Sequence, residues 1–371
     1  MNETGIVAVF TGVRKPFALR EFPVPNPEPG AILVKVQMAN VCGSDLHIWR
    51  GEYDVYRGQT EPFCLAIGHE MVGRIAALGE EVTHDWAGQP LAVGDRIAYQ
   101  YFCPCGECRS CRRGTTPRCL QGHRYRCPPT EYPHFNAAYG QYYYLRKPQA
   151  VFKVPDNVPD ILAGPANCAL SQVIDGLKRA GVGQGDSLVI QGAGGLGINA
   201  IAVAKERQVS QVIVIDGIAS RLELAHDFGA DVTIDLREFR TPQSRVRRVH
   251  ELTDGQGADA VMELVGSPGV VAEGIEMLCN GGVYLEIGNI NQRLTCEFNP
   301  ASIVHGGKTI LGLMWYEPES LRRALELLST RADRYPFHKL LSHQYPLSAI
   351  DEAFRQQDSG AVHRAALLPW G

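Results

Sequence analysis

The chain has 371 residues, of which 45% are hydrophobic and 20% charged, and its formal net charge is −4 at pH 7. This length predicts about two domains with hydrophobic cores of ordinary size. The negative charge gives no electrostatic footprint for a nucleic-acid partner, and the apolar runs are too short and too often broken by glycine to span a membrane.

The first residues, MNETGIVAVF, lack the basic segment and the long apolar segment of a signal peptide, so we expect a cytoplasmic protein. Thiols stay reduced in that compartment, where clustered cysteines bind metal or do chemistry more often than they form disulfides. The cysteines are therefore candidate metal ligands before they are candidate disulfides.

Residues 1–168 have the pattern of an all-β domain. Short runs of strand-forming residues, such as AILVKVQMA (31–39) and YGQYYYLRK (139–147), are separated by turns rich in Gly and Pro. This pattern predicts a barrel or a sandwich.

Strands and helices alternate between residues 169 and 315. SLVIQ (187–191) and QVIVID (211–216) are apolar runs of strand length, and each precedes a segment with helical spacing. The alternation predicts an α/β domain with a doubly wound parallel sheet and right-handed crossovers. A last long helix is expected over 318–332, within a C-terminal segment that covers 316–371.

The stretch GAGGLG (192–197) lies between a predicted strand and a predicted helix and fits G-x-G-x-x-G. There the glycines allow a tight turn and a close approach of the backbone to a pyrophosphate. Asp216 ends the next strand, where a carboxylate can bind the ribose hydroxyls and repel a 2′-phosphate, which favours NAD over NADP. The alternatives are a turn without a ligand and, for Asp216, a helix cap. The residues expected to contact NAD in this region are Gly192, Gly194, Gly195, Leu196, Gly197, Asp216 and Arg221.

Five of the eleven cysteines lie in the run CPCGECRSCRRGTTPRC (103–119). Four of them have the spacing C-x2-C-x2-C-x7-C, and four thiolates can close a tetrahedral shell around zinc. A closed shell has no position for a substrate, so this metal is expected to be structural; redox thiols and disulfides are the alternatives. The expected ligands are Cys105, Cys108, Cys111 and Cys119, and the cysteines without an expected role are Cys64, Cys103, Cys127, Cys279 and Cys296.

Metal-binding residue types also occur in three separate stretches, CGSDLH (42–47), GHE (68–70) and GPANCAL (164–170). Taken singly, each is ordinary, because a lone cysteine is most often a small buried hydrophobe. Together they contain a Cys–His–Cys set, which leaves zinc one open position for water or substrate. Their spacing along the chain does not show that they meet.

These stretches, the cysteine run and GAGGLG occur in an order that resembles the zinc-dependent medium-chain alcohol dehydrogenase family over nearly the whole chain. The resemblance implies a GroES-like β-domain formed by residues 1–168 and 316–371, and a Rossmann NAD-binding domain over 169–315. The active site would lie in the cleft between them. It also implies a homodimeric or homotetrameric oxidoreductase that transfers a hydride between a small-molecule alcohol or carbonyl compound and NAD.

The resemblance assigns two zinc ions to each chain, one structural and one catalytic. Asp45 would orient a ligand histidine, and Glu70 would be a carboxylate near the metal that can exchange as a ligand. The implied catalytic zinc ligands are Cys42, His69 and Cys168.

The resemblance also assigns a proton relay and further cofactor contacts. Ser44 and His47 would pass the alcohol proton to solvent, and Arg364 would contact the pyrophosphate, with a solvated arginine as the alternative. Backbone around VGS (265–267) and IGN (287–289), including Val265 and Gly288, would line the nicotinamide end of the site.

The substrate is predicted only as a class. The bulk of Trp49, Tyr101 and the Met314–Trp315 segment favours a secondary or hydrophobic alcohol. Polyol dehydrogenases of the family use a carboxylate where this chain has Cys168, which weakens a polyol assignment. Aldehyde dismutation with tightly held NAD and a non-catalytic zinc-stabilised interaction protein are further alternatives. The loop over 123–135, with the basic residues His123, Arg124 and Arg126, is compatible with an anionic substrate or with simple solvation.

Overall fold

The computed structural model describes residues 3–53, 63–119, 121, 128–147, 149–340 and 343–371. The chain divides into two compact units. The first comprises Met1–Ser171, Glu317–Ala332 and Phe337–Gly371, and the second comprises Gln172–Tyr316 and Asp333–Pro336. The expected return of the chain to its first domain after residue 315 is thus interrupted by four residues that belong to the second unit.

The first unit is built mainly from strands. Its strands are β1 (Thr4–Phe10), β2 (Ala18–Pro23), β3 (Ile32–Asn40), β4 (Leu65–Ala66), β5 (Glu70–Leu78), β6 (Arg96–Tyr99), β7 (Tyr142–Leu145), β8 (Val151–Lys153), β15 (His343–Pro346) and β16 (Ala365–Leu368). Its helices are α1 (Gly43–Trp49), α2 (Arg109–Arg112), α3 (Asp160–Ala163), α10 (Pro318–Arg331) and α11 (Ile350–Asp358).

Two sheets organise this unit. A small antiparallel sheet has the order β2-β1-β4, and a larger one has the order β15-β16-β3-β5-β6-β8, with β7 also paired to β3. Strand β3 is buried along nearly its whole length, with Lys35 its one exposed residue. β3 pairs with β5 along one edge, and its other edge is shared by β7 at residues 32–35 and β16 at residues 39–40. Its Val34 and Val36 belong to the core of the unit.

The second unit is a doubly wound α/β domain. Its helices are α4 (Ala169–Arg179, which begins in the last residues of the first unit), α5 (Gly195–Glu206), α6 (Ala219–Asp227), α7 (Pro242–Leu252), α8 (Val271–Met277) and α9 (Ala301–Gly306). Its strands are β9 (Ser187–Gln191), β10 (Gln211–Asp216), β11 (Val232–Asp235), β12 (Ala258–Glu263), β13 (Leu278–Glu286) and β14 (Thr309–Gly312).

These six strands pair in parallel in the order β11-β10-β9-β12-β13-β14. This order reverses direction between β9 and β12, as in Rossmann domains, and a dinucleotide binds beyond the carboxyl ends of the strands at that point. The predicted fold class, a β-domain with a doubly wound parallel domain, is confirmed. None of the helices in the described ranges combines the length and apolar character that a membrane span requires.

Candidate functional site

Strand register brings two of the expected ligands together. Asn40, at the end of β3, pairs with Glu70 at the start of β5 on one side and with Ala366 of β16 on the other. Cys42 follows the end of β3, and His69 precedes the start of β5. Because both residues lie beside the same register pair, their side chains meet although 26 residues separate them in sequence.

The third expected ligand, Cys168, lies in a different segment of the chain. It follows a 3-10 turn over Gly164–Asn167, and Asn167 Nδ2 donates a hydrogen bond of 2.9 Å to the carbonyl oxygen of His69. Cys168 Sγ lies 3.8 Å from Cys42 Sγ and 3.4 Å from His69 Nε2. The three side chains therefore converge on one point.

We call this group, with Glu70 added, the inner site: Cys42, His69, Glu70 and Cys168. The four donor atoms all lie within 4.8 Å of one another. Tetrahedral zinc with bonds of about 2.3 Å to sulfur and about 2.0 Å to nitrogen separates two sulfurs by about 3.8 Å and a sulfur from a nitrogen by about 3.5 Å. The observed sulfur–sulfur distance of 3.8 Å and nitrogen–sulfur distance of 3.4 Å fit a zinc ion at the inner site.

The electrostatics of the inner site favour an anionic sulfur. A hydrogen bond from Cys168, together with the nearby His69, lowers the pKa of the Cys42 thiol well below its usual value. The same contact with Cys42, together with burial, raises the pKa of Cys168. A thiolate is the form of cysteine that binds metals, so Cys42 is prepared for that role by its neighbours.

Glu70 is fully buried beside these ligands. Its Oε1 forms an ion pair with Nη2 of Arg364, whereas its Oε2 has no hydrogen-bond partner in the part of the chain that the structure describes. Burial raises the pKa of Glu70 to about 8, although Arg364 acts in the opposite direction. The guanidinium of Arg364 is thus held by Glu70, and the expected pyrophosphate contact of Arg364 stays a prediction.

Asp45 connects the first turn of α1 to His69. Its Oδ2 accepts hydrogen bonds from the backbone N–H of Cys42 at 3.0 Å and from the hydroxyl of Tyr139 at 2.7 Å. Its Oδ1 lies 3.4 Å from His69 Nδ1. A carboxylate in this position orients a ligand histidine, which is the role that the resemblance implies for Asp45.

The expected relay residues lie on the other face of α1. Ser44 and His47 are three residues apart, which places them on one side of the helix, and both are half-buried. His47 Nδ1 forms a hydrogen bond of 2.6 Å with Oε2 of Glu52. Glu52 gave no signal in the sequence, because it follows the helix in an ordinary polar turn.

The four-cysteine cluster, defined as Cys105, Cys108, Cys111 and Cys119, forms a second group of converging sulfurs. Sγ atoms lie 3.8 Å apart for Cys105 and Cys111 and 3.9 Å apart for Cys108 and Cys119. A disulfide would need about 2.05 Å, whereas tetrahedral zinc needs about 3.8 Å. The four sulfurs therefore fit a closed zinc shell.

Backbone amides support the cysteine cluster. The N–H groups of Cys105 and Cys108 each donate to a cysteine sulfur of the cluster at 3.3 Å. Burial raises the pKa of Cys105, but the hydrogen bonds from the backbone N–H groups of Glu107 and Cys108 outweigh it and lower the pKa to about 6. The backbone thus stabilises the thiolate of Cys105, whereas burial raises the pKa of Cys111 and of Cys119.

The glycine-rich turn has the geometry that a pyrophosphate needs. Gly192 has a φ of 96°, which favours glycine. A Cβ on Gly197 would lie 1.9 Å from the carbonyl oxygen of Gly192, so no larger residue fits there. Helix α5 begins at Gly195, which leaves Gly195 and Leu196 at its amino end, where free N–H groups attract an anion.

Asp216 joins this turn to the next strand. Its Oδ2 accepts a hydrogen bond of 2.8 Å from the N–H of Ala193, and its Oδ1 accepts one of 2.9 Å from the N–H of Ile218. Nη1 of Arg221 lies 3.8 Å from Asp216 Oδ2. The carboxylate therefore stands beside the glycine-rich turn, where the sequence places a ribose contact.

Comparisons with known proteins identify the family of this chain. The alcohol dehydrogenase GroES-like domain family matches residues 28–156, and the zinc-binding dehydrogenase family matches residues 195–330. The 5-exo-hydroxycamphor dehydrogenase of Pseudomonas putida is 32% identical over 345 residues, which cover 92% of each chain. The chain belongs to the zinc-dependent medium-chain alcohol dehydrogenase family.

Two further relatives extend this result. The erythritol/L-threitol dehydrogenase of Mycolicibacterium smegmatis is 30% identical over 367 residues, which cover 95% of this chain and 94% of the relative. The crystal structure of an alcohol dehydrogenase from Thermotoga maritima superposes with a TM-score of 0.89 at 28% identity, covering 99% of this chain and 100% of the other. The predicted family, the enzyme class and alcohol oxidoreduction are thereby confirmed.

In this dehydrogenase a buried acid that sequence reasoning missed joins the two loops expected at the nicotinamide end. Oε1 of Glu263 accepts hydrogen bonds of 2.7 Å from the N–H groups of Val265 and Gly266, and Oε2 accepts one of 3.0 Å from Gly288. A Cβ on Gly288 would lie 2.6 Å from Oε2 of Glu263. The backbone N–H groups of Val265 and Gly288 are therefore held together by the carboxyl group of Glu263.

The residues expected to line a substrate pocket of the dehydrogenase occupy different environments. The ring of Tyr101 lies 4.9 Å from the ring of His69, beside the inner site. Trp49 instead packs in the core of the first unit, between Phe354 and the guanidinium of Arg14. Trp49 is therefore a core residue of the first unit.

The remaining expectations concern the segment after the cysteine cluster and the other cysteines. His123, Arg124, Arg126 and Cys127 lie outside the described residues. The described end of this segment packs closely, with His134 stacked on Phe22 at 5.5 Å and Phe135 buried. Among the described residues, the cysteines that belong to neither metal-binding group are Cys64, Cys103, Cys279 and Cys296.

Proposed function

We propose that this dehydrogenase oxidises a secondary or hydrophobic alcohol to the ketone or aldehyde, with NAD as the hydride acceptor and a zinc ion at the inner site. The convergence of Cys42, His69 and Cys168 carries the proposal, because two thiolates and one imidazole form a three-ligand zinc site with an open position. The four-cysteine cluster would hold a second, structural zinc.

When bound, the zinc supplies a Lewis acid that acidifies the alcohol, and NAD supplies the hydride acceptor. Ser44 Oγ would accept the hydroxyl proton and His47 would pass it to solvent. Glu52 would hold the ring of His47 through the hydrogen bond to Nδ1. Asp45 would keep the Nε2 atom of His69 directed at the inner site.

NAD rather than NADP is proposed because Asp216 stands at the end of β10 with its carboxylate beside the glycine-rich turn. A carboxylate there binds two ribose hydroxyls and repels a phosphate on the 2′ oxygen. Val265 and Gly288 would contact the nicotinamide end through backbone groups that Glu263 fixes. Arg364 would reach the pyrophosphate only by sharing its guanidinium with Glu70.

A homodimer or homotetramer is proposed from the edge of the six-stranded sheet. Strand β14 ends the sheet, and within the described ranges it pairs with β13 alone. Ile310 on this strand and Val304 in α9 are exposed apolar residues. An open edge strand with apolar neighbours is a typical surface for pairing with a second copy. A cytoplasmic location, proposed with it, would keep both sets of thiols reduced.

The substrate assignment rests on Tyr101 beside His69 and on the two relatives. The name of the Pseudomonas putida relative agrees with a hydrophobic alcohol. The name of the Mycolicibacterium smegmatis relative agrees with a polyol, which is the second candidate. A panel of secondary alcohols, polyols and anionic alcohols, scored by NADH formation, separates them. Cofactor that stays bound through purification would instead indicate aldehyde dismutation.

The proposed division of the two metals is tested with Cys42→Ala. This variant should keep the four-cysteine zinc and NAD binding but lose turnover by at least about a thousandfold, because one of three zinc ligands is gone. Cys296→Ala, at a cysteine outside both groups, is the matched control and should keep full activity. Full activity in Cys42→Ala would contradict the scheme, and no NADH formation by the wild type across the panel would favour a non-catalytic protein.

A further inference from the structure

Tyr139 occupies a buried position beside the inner site that none of the roles above uses. Its side chain is 1% exposed. The ring lies edge-on to Phe354, with centroids 5.8 Å apart. On its other side it packs against Gly68, where φ is 92° and a Cβ would lie 2.8 Å from the ring. The ring is therefore clamped, and the direction of its hydroxyl is fixed.

That hydroxyl is directed at Asp45. It donates to Oδ2 of Asp45 at 2.7 Å and lies 3.3 Å from the carbonyl oxygen of Asn40. Burial and the negative charge of Asp45 raise the pKa of Tyr139 well above its usual value, so the hydroxyl keeps its proton and remains a donor. A buried carboxylate needs hydrogen-bond donors, and the protonated hydroxyl of Tyr139 is one of them.

Two donors on one oxygen decide how the Asp45 carboxylate points. Oδ2 receives the hydroxyl of Tyr139 and the N–H of Cys42, which leaves Oδ1 to face His69 Nδ1 at 3.4 Å. An N–H at Nδ1 then directs the lone pair of Nε2 away from Asp45 and toward the sulfur of Cys168. The tautomer and orientation of the imidazole thus depend on a chain of three side chains.

We propose that Tyr139 is a positioning residue for the zinc of the inner site, acting through Asp45 on His69. The inference rests on the proposed function, since it assigns Nε2 of His69 to the metal. Partners of ligand histidines contribute about 10- to 100-fold to metal affinity when they hold the ring in its binding orientation. Tyr139 extends that support by one residue beyond Asp45.

Tyr139→Phe tests the inference because it removes the hydroxyl and keeps the clamped ring. We expect about 10- to 100-fold weaker zinc binding at one site per chain, measured by competition with a chromophoric chelator. The four-cysteine zinc should be retained and serves as an internal reference. The visible absorption of the cobalt-substituted chain should change in the same variant, because the coordinating imidazole loses its fixed orientation.

Tyr284→Phe is the matched control. Tyr284 belongs to the second unit and is as buried as Tyr139. Its hydroxyl donates a hydrogen bond of 3.1 Å to Gln191 Oε1 and not to Asp45. It should lose stability to a similar extent while zinc affinity and the cobalt spectrum stay those of the wild type. This comparison separates a general effect of losing a buried hydroxyl from an effect on the metal.

A double variant tests the route through Asp45. If Tyr139 acts through that carboxylate, Tyr139→Phe combined with Asp45→Asn should bind zinc no more weakly than Asp45→Asn alone. Fully additive losses, or zinc affinity in Tyr139→Phe within twofold of the wild type, would overturn the inference. Should Tyr139→Phe not fold, an unchanged cobalt spectrum in Asp45→Asn would overturn it instead. None of these measurements needs turnover. A wild type that oxidises no alcohol would therefore contradict the proposed function, whereas zinc affinity and the cobalt spectrum would still test the role of Tyr139.

Discussion

His47 and Glu52 are joined by a hydrogen bond of 2.6 Å between Nδ1 and Oε2. The contact is local, because α1 ends at Trp49 and the backbone N–H of Glu52 donates to the carbonyl oxygen of His47 at 2.8 Å. The intervening turn passes through Gly51 with a φ of 76°. An imidazole held at Nδ1 by a carboxylate presents Nε2 for proton exchange. The chain therefore fixes the ring that is proposed to pass the alcohol proton to solvent.

Glu52→Gln should lower kcat about tenfold. This is a fraction of the rate enhancement of about 100- to 10,000-fold that a positioned acid–base group contributes. The amide keeps the size of the side chain but weakens its hold on the imidazole. The measurement is kcat for the best alcohol of the panel, with the solvent isotope effect as a second readout, because a slower proton transfer should enlarge it.

The control for Glu52 is Glu81→Gln, which removes an exposed carboxylate paired with Lys147 in the same unit. It should leave kcat unchanged. In a His47→Asn background, Glu52→Gln should have no further effect. A tenfold loss that persists without the imidazole would show that Glu52 acts by another route.

The sequence predicted the second unit more completely than the first. SLVIQ, GAGGLG and QVIVID carry their own periodicity and turn chemistry, so β9, α5 and β10 follow from residues that are neighbours in the chain. β9 and β10 have the same bounds as the predicted runs, and α10 ends one residue before the expected residue 332. The first unit depends on pairings such as Asn40 with Glu70 and Ala366, which no local pattern specifies.

The inner site shows the same limit. Cys42 and Cys168 are 126 residues apart, so their meeting could be expected only from resemblance to a family. Tyr139 was missed because YGQYYYL predicts a strand whichever way its hydroxyl points. Glu263 was missed because a single acid at the end of an apolar strand resembles any solvated strand end, and only burial with three backbone donors distinguishes it.

Cys108→Ser should remove the structural zinc. Cys108 caps α2, accepts the N–H of Cys111 and provides one of four sulfurs, and a hydroxyl is a poor zinc ligand. Because metal binding contributes to the folding of such loops, we expect a loss on the order of 10 °C in Tm, corresponding to about 3 kcal/mol. The measurement is thermal unfolding together with the zinc content per chain.

Cys103→Ser is the matched control for the cysteine cluster, since Cys103 belongs to the same run but lies outside the four converging sulfurs. It should keep both zinc ions and show a much smaller shift. A Cys108→Ser chain with two zinc ions and the Tm of the wild type would show that the cluster does not hold metal.

Glu263 should make the second unit less stable as the pH rises. Burial and the facing carboxylate of Glu286 raise the pKa of Glu263 to about 8, against the backbone N–H groups of Gly266 and Val265. Between the ordinary pKa of an unfolded glutamate and 8, the folded chain binds more protons at this position than the unfolded chain. Stability is therefore fully present at low pH and is lost as the pH rises toward 8, with a slope of up to about 1.4 kcal/mol per pH unit.

The pH prediction is measured by chemical unfolding of the wild type and Glu263→Gln at intervals from pH 5 to 8.5. The variant should be less stable throughout, because Gly288 loses an acceptor, but the difference between the two chains should shrink as the pH rises. Glu238→Gln, at an exposed carboxylate of the same unit, should run parallel to the wild type. A constant difference between the wild type and Glu263→Gln would show that Glu263 is ionised throughout this range.

Asp216→Asn should weaken NAD binding and relax the choice between NAD and NADP. The carboxylate lies beside the N–H of Ala193 in the glycine-rich turn, where it is proposed to bind the ribose hydroxyls. Hydrogen bonds to a charged group contribute about 1.5–3 kcal/mol, so the KM for NAD should rise about 10- to 100-fold with kcat little changed. The KM for NADP should fall relative to that for NAD, because the charge that repels a 2′-phosphate is gone and Arg221 remains nearby.

The matched control for Asp216 is supplied by the next strand. Asp235 of β11 pairs in register with Asp216, also ends its strand, and also accepts a backbone N–H two residues later, from Arg237. It is one strand farther from the glycine-rich turn, which follows β9. Asp235→Asn should therefore leave kcat/KM for both cofactors unchanged. An equal shift in the two variants would assign the effect to the stability of the sheet edge, and an unchanged cofactor ratio in Asp216→Asn would remove Asp216 from the cofactor site.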